Sequence, residues 1–180
     1  MKAVGHLRRL LGYQWRRAWV RSRGPSRYDS LACVFEGEAV NKRRIMEIGT
    51  YTGSTAGRLL RIALRYEPRP AVHYYGFDLF EELEGETLAR EASKRSGRTM
   101  EEVRAFLMAE IGLPADNIQL YRGLTRDTLW AALPSLPPMG FIFIDGGHST
   151  DTVANDWEVC RRVMDRQTIV VFDDYYHFDY

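Results

Sequence analysis

The sequence has few cysteines and no long apolar run, and both shortages exclude classes of protein. Cys33 and Cys160 form no C-x-x-C or zinc-like spacing, which indicates free thiols in a reducing compartment rather than a disulfide framework. No apolar run approaches the roughly 18–20 residues that span a bilayer. The N-terminus is basic, but it lacks the apolar segment of a secretory signal. These features predict a cytoplasmic protein.

Net charge is also small, because 25 Lys and Arg nearly balance 24 Asp and Glu. Residues 1–30 nevertheless carry eight basic residues against one acid, Asp29, while the remainder carries 17 basic residues against 23 acids. Apolar residues at helical spacing predict a basic amphipathic helix in this leader, ending at Gly24 and Pro25. Docking on the domain or on a partner subunit is the favoured interpretation. A peripheral membrane contact through residues 1–23 and a nucleic-acid contact are the alternatives.

A chain of 180 residues suits one domain with its own core. We therefore expect a leader over residues 1–30, comprising the basic helix and a linker, and a single domain over residues 31–180. No basic patch occurs outside the leader, so no nucleic-acid partner is expected.

From residue 44 onward, short apolar runs alternate with helical stretches. This alternation predicts βαβ units and an α/β, Rossmann-like, doubly wound fold, with a mainly parallel sheet covered by helices on both faces. The strands are expected at residues 44–49, 73–80, 118–123, 141–146 and 168–174, and the helices at 54–67, 98–112, 125–133 and 150–164, the last capped by Ser149 or Thr150.

Acids stand at the carboxyl ends of four of the predicted strands. Ligands bind at this edge of an open parallel sheet, so acids gathered there predict a site. The acids are Glu47, Asp78, Asp145, Asp173 and Asp174.

The stretch 47-EIGTYTGST-55 predicts a tight strand-to-helix turn in which backbone approaches a ligand at Gly49 and Gly53. The G-x-x-x-G spacing disfavours a nicotinamide dinucleotide site, and no Walker lysine follows. Asp78, at the end of the next strand, is placed to accept hydrogen bonds from ribose hydroxyls. Turn and acid together fit an adenosine-type cofactor without a pyrophosphate. The alternative is a capped turn with Asp78 facing solvent.

The second group of acids is Asp145, Asp173 and Asp174. Three carboxylates close together repel one another unless a cation neutralises them. Carboxylate oxygens suit Mg²⁺, Mn²⁺ or Ca²⁺ rather than zinc. The alternative is that these acids splay into solvent or cap neighbouring helices.

His148 lies three residues after Asp145, on a glycine-rich loop at a helix entrance. An imidazole takes up a proton readily near neutral pH, and a bound divalent cation acidifies a hydroxyl. His148 is therefore the candidate catalytic base. A metal-ligand or helix-capping role is the alternative, and His177 is a weaker candidate for the base.

With these residues in place, the chain resembles class I S-adenosylmethionine-dependent O-methyltransferases over about residues 41–176. It is most similar to the divalent-metal-dependent branches of catechol/caffeoyl-CoA and macrocin-like type. The segment 47-EIGTYTGST-55 is similar to their first motif, and 145-DGGHS-149 is similar to a macrocin-like motif in which histidine replaces the catechol-type lysine.

The resemblance implies roles for individual residues. It places S-adenosylmethionine against the first motif, with Asp78 on the ribose and Gly123 beside the adenine. It assigns a divalent metal, Mg²⁺ or alternatively Mn²⁺ or Ca²⁺, to Asp145, Asp173 and Asp174, and catalysis to His148. The cofactor-binding residues that it implies in the first motif are Glu47, Gly49, Tyr51, Gly53 and Thr55.

The sequence departs from this family at its end, because members usually continue after the fifth strand with a helix and a β-hairpin. Ending at Tyr180 would leave a sheet edge uncovered. A fragment, a partner subunit over the edge, and compensation by the N-terminal helix are the explanations considered, and the exposed edge favours a homodimer. The expected acceptor is a small hydroxylated molecule, such as a sugar or natural product. A non-catalytic or metal-independent cofactor-binding domain acting with a partner is the alternative.

Overall fold

The computed structural model describes residues 27–37, 39–82 and 98–173, together with Gln14 and Ala18, which are helical. Most of the predicted N-terminal helix, Asp174 and His177 lie outside the described residues. Among the described helices, none is long and apolar enough to cross a membrane. The helices are α1 (Arg27–Glu36), α2 (Ser54–Tyr66), α3 (Met100–Phe106, continued by a π-helical turn, Leu107–Ile111), α4 (Thr125–Ala132) and α5 (Thr150–Cys160), and the strands are β1 (Arg44–Ile48), β2 (His73–Asp78), β3 (Ile118–Arg122), β4 (Met139–Ile144) and β5 (Met164–Phe172).

The described strands form one parallel sheet in the order β3-β2-β1-β4-β5. The central strand β1 pairs with β2 on one side and with β4 on the other, so the direction of winding reverses between β1 and β4. This reversal is the switch point at which open α/β sheets bind ligands. The predicted Rossmann-like fold class is confirmed.

Side chains that alternate along the strands form a hydrophobic layer on each face of the sheet. Ile45, Phe141 and Phe143 pack beneath α1, α2 and α3. Met46 and Ile142 face the other way and pack beneath α4 and α5. Because the central strands are buried on both faces, their sequences are nearly continuous apolar runs.

Helix α1 was not predicted from the sequence, and it crosses the expected boundary at residue 30. Leu31, Ala32 and Phe35 are buried in the core, and the Phe35 ring lies edge-on to Phe141 with 4.8 Å between centroids. Val34 is exposed in the same run, so the apolar residues form no clean helical stripe in the sequence. The division into a leader and a domain stays a prediction.

The fourth and fifth strands begin earlier than predicted, at Met139 and Met164 rather than at residues 141 and 168. Met139 of β4 pairs with Met164 of β5, and the next pair is Phe141 with Ile169. The register therefore shifts between these pairs, and β5 contains a bulge of extra residues. The Thr168 hydroxyl donates to the Met139 carbonyl at 2.7 Å and fastens this bulge. The bulged residues are polar, and a search for apolar runs therefore misses the start of the strand.

Candidate functional site

The turn between β1 and α2 depends on two glycines with left-handed backbone. Gly49 has φ +88° and Gly53 has φ +74°, and the Gly49 N–H donates to the Phe77 carbonyl at 2.8 Å. A Cβ on Gly49 would lie 1.8 Å from the Asp145 carbonyl oxygen. Glycine is therefore required at residue 49, because the turn lies directly against the backbone that follows β4.

The Asp78 carboxylate connects the β1–α2 turn to the end of β2. Its Oδ2 accepts from the Tyr51 N–H at 2.8 Å, and its Oδ1 accepts from the Phe80 N–H at 2.6 Å. Both of these non-glycine residues have φ +50°, a conformation that needs support from its surroundings. Burial raises the pKa of Asp78, and the backbone hydrogen bonds oppose that shift.

Gly123 and Thr55 lie at the rim of the same region. The Gly123 N–H donates to the Asp78 carbonyl at 3.0 Å, with φ +128°, so the end of β3 closes against the end of β2. Thr55 is half-buried in the first turn of α2, and Tyr51 is exposed. The structure thus gathers these predicted cofactor residues around one turn, and their contacts with a cofactor stay predictions.

Glu47 supports the turn from beneath. It is fully buried, and its Oε2 accepts a hydrogen bond from the Tyr74 hydroxyl, which also contacts Thr50 Oγ1 at 3.1 Å. Its Oε1 has no hydrogen-bond partner among the described residues. Burial raises the pKa of Glu47 to about 8, the Tyr74 hydrogen bond opposes the rise, and the charges of Asp145 and Asp78 add to it. Glu47 is therefore mostly neutral at pH 7, and its predicted cofactor contact stays a prediction.

Asp145 and Asp173 follow the ends of neighbouring strands. The Asp145 N–H donates to the Ile48 carbonyl at 2.8 Å, and the Asp173 N–H donates to the Ile144 carbonyl at 2.9 Å. Within the described ranges, no three His, Cys, Asp or Glu side chains form a group that would hold a metal ion. The predicted three-carboxylate metal set, which includes the undescribed Asp174, stays a prediction.

His148 is exposed on the loop between β4 and α5. The next residue, Ser149, caps α5, because its hydroxyl accepts from the Thr152 N–H at 3.2 Å. Ser149, one of the two residues predicted to cap this helix, is therefore its N-cap, and His148 does not have the capping role. The loop position leaves His148 on the same edge of the sheet as Asp145.

Tyr28 belongs to this region, although sequence reasoning did not identify it. Its hydroxyl donates to Asp145 Oδ2 at 3.3 Å, across 117 positions of sequence. No spacing or motif links two residues so far apart. The contact depends on the position of α1 beside the sheet edge.

Comparison with known proteins gives one family and one fold. A family model described as "Methyltransferase domain" matches residues 46–175. No curated protein matches the chain. Among solved structures, the calicheamicin methyltransferase CalS11 matches with a TM-score of 0.60 and 19% identity over 81% of this chain, and the O-methyltransferase NovP with a TM-score of 0.58 and 20% identity over 83%.

An apo structure of CalS11, described as a TDP-rhamnose 3′-O-methyltransferase in calicheamicin biosynthesis, matches with a TM-score of 0.55 and 19% identity over 81% of this chain. The matches cover 63% of the CalS11 chain, 61% of its apo form and 64% of NovP. This chain therefore spans less than two thirds of those proteins, and at these identities the likeness establishes the shared fold.

The titration of Glu47 predicts how stability depends on pH. Between about 4.5 and about 8, folded Glu47 holds a proton that the unfolded chain releases, so rising pH lowers the free energy of unfolding. This group alone contributes a slope of roughly 1.4 kcal/mol per pH unit. Urea denaturation at pH 5, 6, 7 and 8 should show a flatter dependence in Glu47→Gln. The exposed Glu101→Gln variant is the control, and an unchanged slope in Glu47→Gln would refute the assignment.

Proposed function

The chain belongs to the methyltransferase-domain family, and from this premise we propose that it transfers a methyl group from S-adenosylmethionine to a hydroxyl oxygen of a small molecule. The observation that carries the proposal is the Asp78 carboxylate, held by two backbone N–H groups at the edge of a glycine turn. An acid so placed suits the hydroxyls of a ribose. S-adenosylmethionine supplies a methyl group on a sulfonium, which an acceptor oxygen displaces in an SN2 substitution.

The residues of the turn fit this cofactor. Gly49 and Gly53 give the β1–α2 turn its left-handed backbone at the switch point, and the Asp78 carboxylate lies beside this turn. Gly123 brings the end of β3 close without a side chain. Tyr51 and Thr55 complete the proposed pocket, while Glu47 holds its floor.

His148 is the proposed base. The transfer forms an oxygen–carbon bond and breaks a carbon–sulfur bond, so the hydroxyl proton needs an acceptor. The His148 ring lies on the loop that follows Asp145, exposed at the same sheet edge. Holding the hydroxyl between this ring and the cofactor pocket would supply both proton removal and alignment.

Metal assistance is a further part of the proposal. Asp145 and Asp173 provide carboxylates at adjacent strand ends, and Mg²⁺ commonly binds one or two carboxylates while keeping several waters. Asp174 is the proposed third acid. A cation held there would lower the pKa of an acceptor hydroxyl. A metal-independent cofactor-binding domain is the second candidate, because Asp78, the acid proposed to hold the cofactor, is not one of the proposed metal acids.

The proposed acceptor is a sugar or natural-product hydroxyl. The names of two matched structures support this class, since one is a calicheamicin methyltransferase and its apo form is described as a TDP-rhamnose 3′-O-methyltransferase. The cytoplasmic location and the homodimer remain proposals beside it.

Replacing His148 tests the base. His148→Gln should lower methyl transfer by roughly 10²–10⁴-fold, the usual contribution of a general base, without changing the dissociation constant of S-adenosylmethionine. Transfer of labelled methyl to a panel of hydroxylated sugars is measured with whichever acceptor the wild type uses. His73→Gln, at the opposite end of β2, is the matched control and should keep full activity. Full activity in His148→Gln would eliminate His148 as the base.

Replacing Asp145 tests the metal. Asp145→Ala should lose Mg²⁺ binding in calorimetry and any Mg²⁺ stimulation of methyl transfer, because one of two described carboxylates at the proposed site is gone. Asp127→Ala, an exposed acid on α4, is the control and should bind Mg²⁺ like the wild type. Retained Mg²⁺ binding by a folded Asp145→Ala protein would show that the metal, if bound, lies elsewhere.

A further inference from the structure

A cleft between α1 and α2 adjoins the proposed site and shares Thr55 with it. Its volume is about 620 Å³, within the range of small-molecule sites. The lining is rich in arginine and hydroxyl groups, with one aliphatic side chain. The described lining residues are Tyr28, Ser54, Thr55, Arg58, Arg61, Ile62 and Arg65.

Three arginines of α2 line the cleft at helical spacing. Arg58 pairs with Asp29 of α1 at 2.9 Å, and Arg65 pairs with Glu36 of α1 at 2.8 Å. Their side chains are still 44% and 46% exposed, so the acids orient the two guanidinium groups without enclosing them. Arg61 is exposed between them and forms no ion pair with any described residue.

The cleft is joined to the catalytic edge by residues that belong to both. Tyr28 lines the cleft while its hydroxyl donates to Asp145 Oδ2 at 3.3 Å. Thr55 lines the cleft and also lies in the proposed cofactor turn. A molecule in the cleft would therefore extend toward Asp145, where the acceptor hydroxyl is proposed to react.

The shape of the charged surface indicates the kind of group that it would bind. At a rise of 1.5 Å per residue, Arg58 and Arg65 stand about 10 Å apart along the helix, too far for a single carboxylate to contact both. Guanidinium groups bind phosphate oxygens through paired N–H donors, and the hydroxyls of Ser54 and Thr55 add further donors. An extended anion such as a diphosphate matches this span.

We propose that the methyl acceptor carries a phosphate or diphosphate and that the α1–α2 cleft binds this group through Arg58, Arg61 and Arg65; the acceptor role rests on the proposed function. Arg61 is the specificity-determining residue, because it is the arginine whose charge no described acid offsets. The bound anion would hold the acceptor with its hydroxyl directed toward the Tyr28 and Asp145 end of the cleft.

Calorimetry with inorganic pyrophosphate and with uridine diphosphate, at saturating S-adenosylmethionine, tests this site. Both should bind the wild type, and Arg61→Gln should weaken them by roughly tenfold or more, the loss expected for a charged hydrogen bond. Arg126→Gln removes an exposed arginine on α4 and should bind both like the wild type. Arg61 is exposed, so its replacement should leave folding intact.

The affinity for S-adenosylmethionine separates this inference from the proposed function. It should be the same in Arg61→Gln and in the wild type. Absence of anion binding, or equal binding by Arg61→Gln, would overturn the cleft as an anion site. Competition between pyrophosphate and S-adenosylmethionine would also overturn it, by assigning the cleft to the cofactor. If S-adenosylmethionine fails to bind while Arg61-dependent anion binding persists, the proposed function falls and the anion site stands.

Discussion

The paired hydrogen bonds of Asp78 are the interaction on which the site depends. One carboxylate holds the N–H groups of Tyr51 and Phe80, both in left-handed conformations that such residues rarely adopt alone. The β1–α2 turn and the end of β2 are thereby fixed to each other. Because Gly49 has no side chain, the same turn also lies against the backbone of Asp145, so three strand ends converge at the switch point.

Glu47, the acid beneath the β1–α2 turn, can be buried because its carboxyl group is mostly protonated at neutral pH. Glu47 is completely buried beneath the turn, where an ionised carboxylate would be costly. Its raised pKa and its hydrogen bond from Tyr74 let it stay in the core between two hydrophobic layers.

Much of the fold was predictable because parallel strands buried on both faces appear in the sequence as apolar runs. The start of α5 was predictable because serine is a common N-cap residue, and Ser149 caps this helix. Asp78 and Gly49 could be assigned to the site from their positions at strand ends. Helix α1 could not be predicted, since its apolar residues form no stripe. The Tyr28–Asp145 contact and the Glu47–Tyr74 pair arise from tertiary packing across 117 and 27 positions, which no local pattern encodes.

The most direct test is calorimetric titration of S-adenosylmethionine into the folded protein, once with Mg²⁺ and once with EDTA. We expect saturable, one-to-one binding under both conditions, because the proposed cofactor pocket consists of the glycine turn, Asp78 and Gly123 and does not include the proposed metal acids. No binding by a protein whose circular dichroism shows it to be folded would contradict the assignment of this turn as a cofactor site.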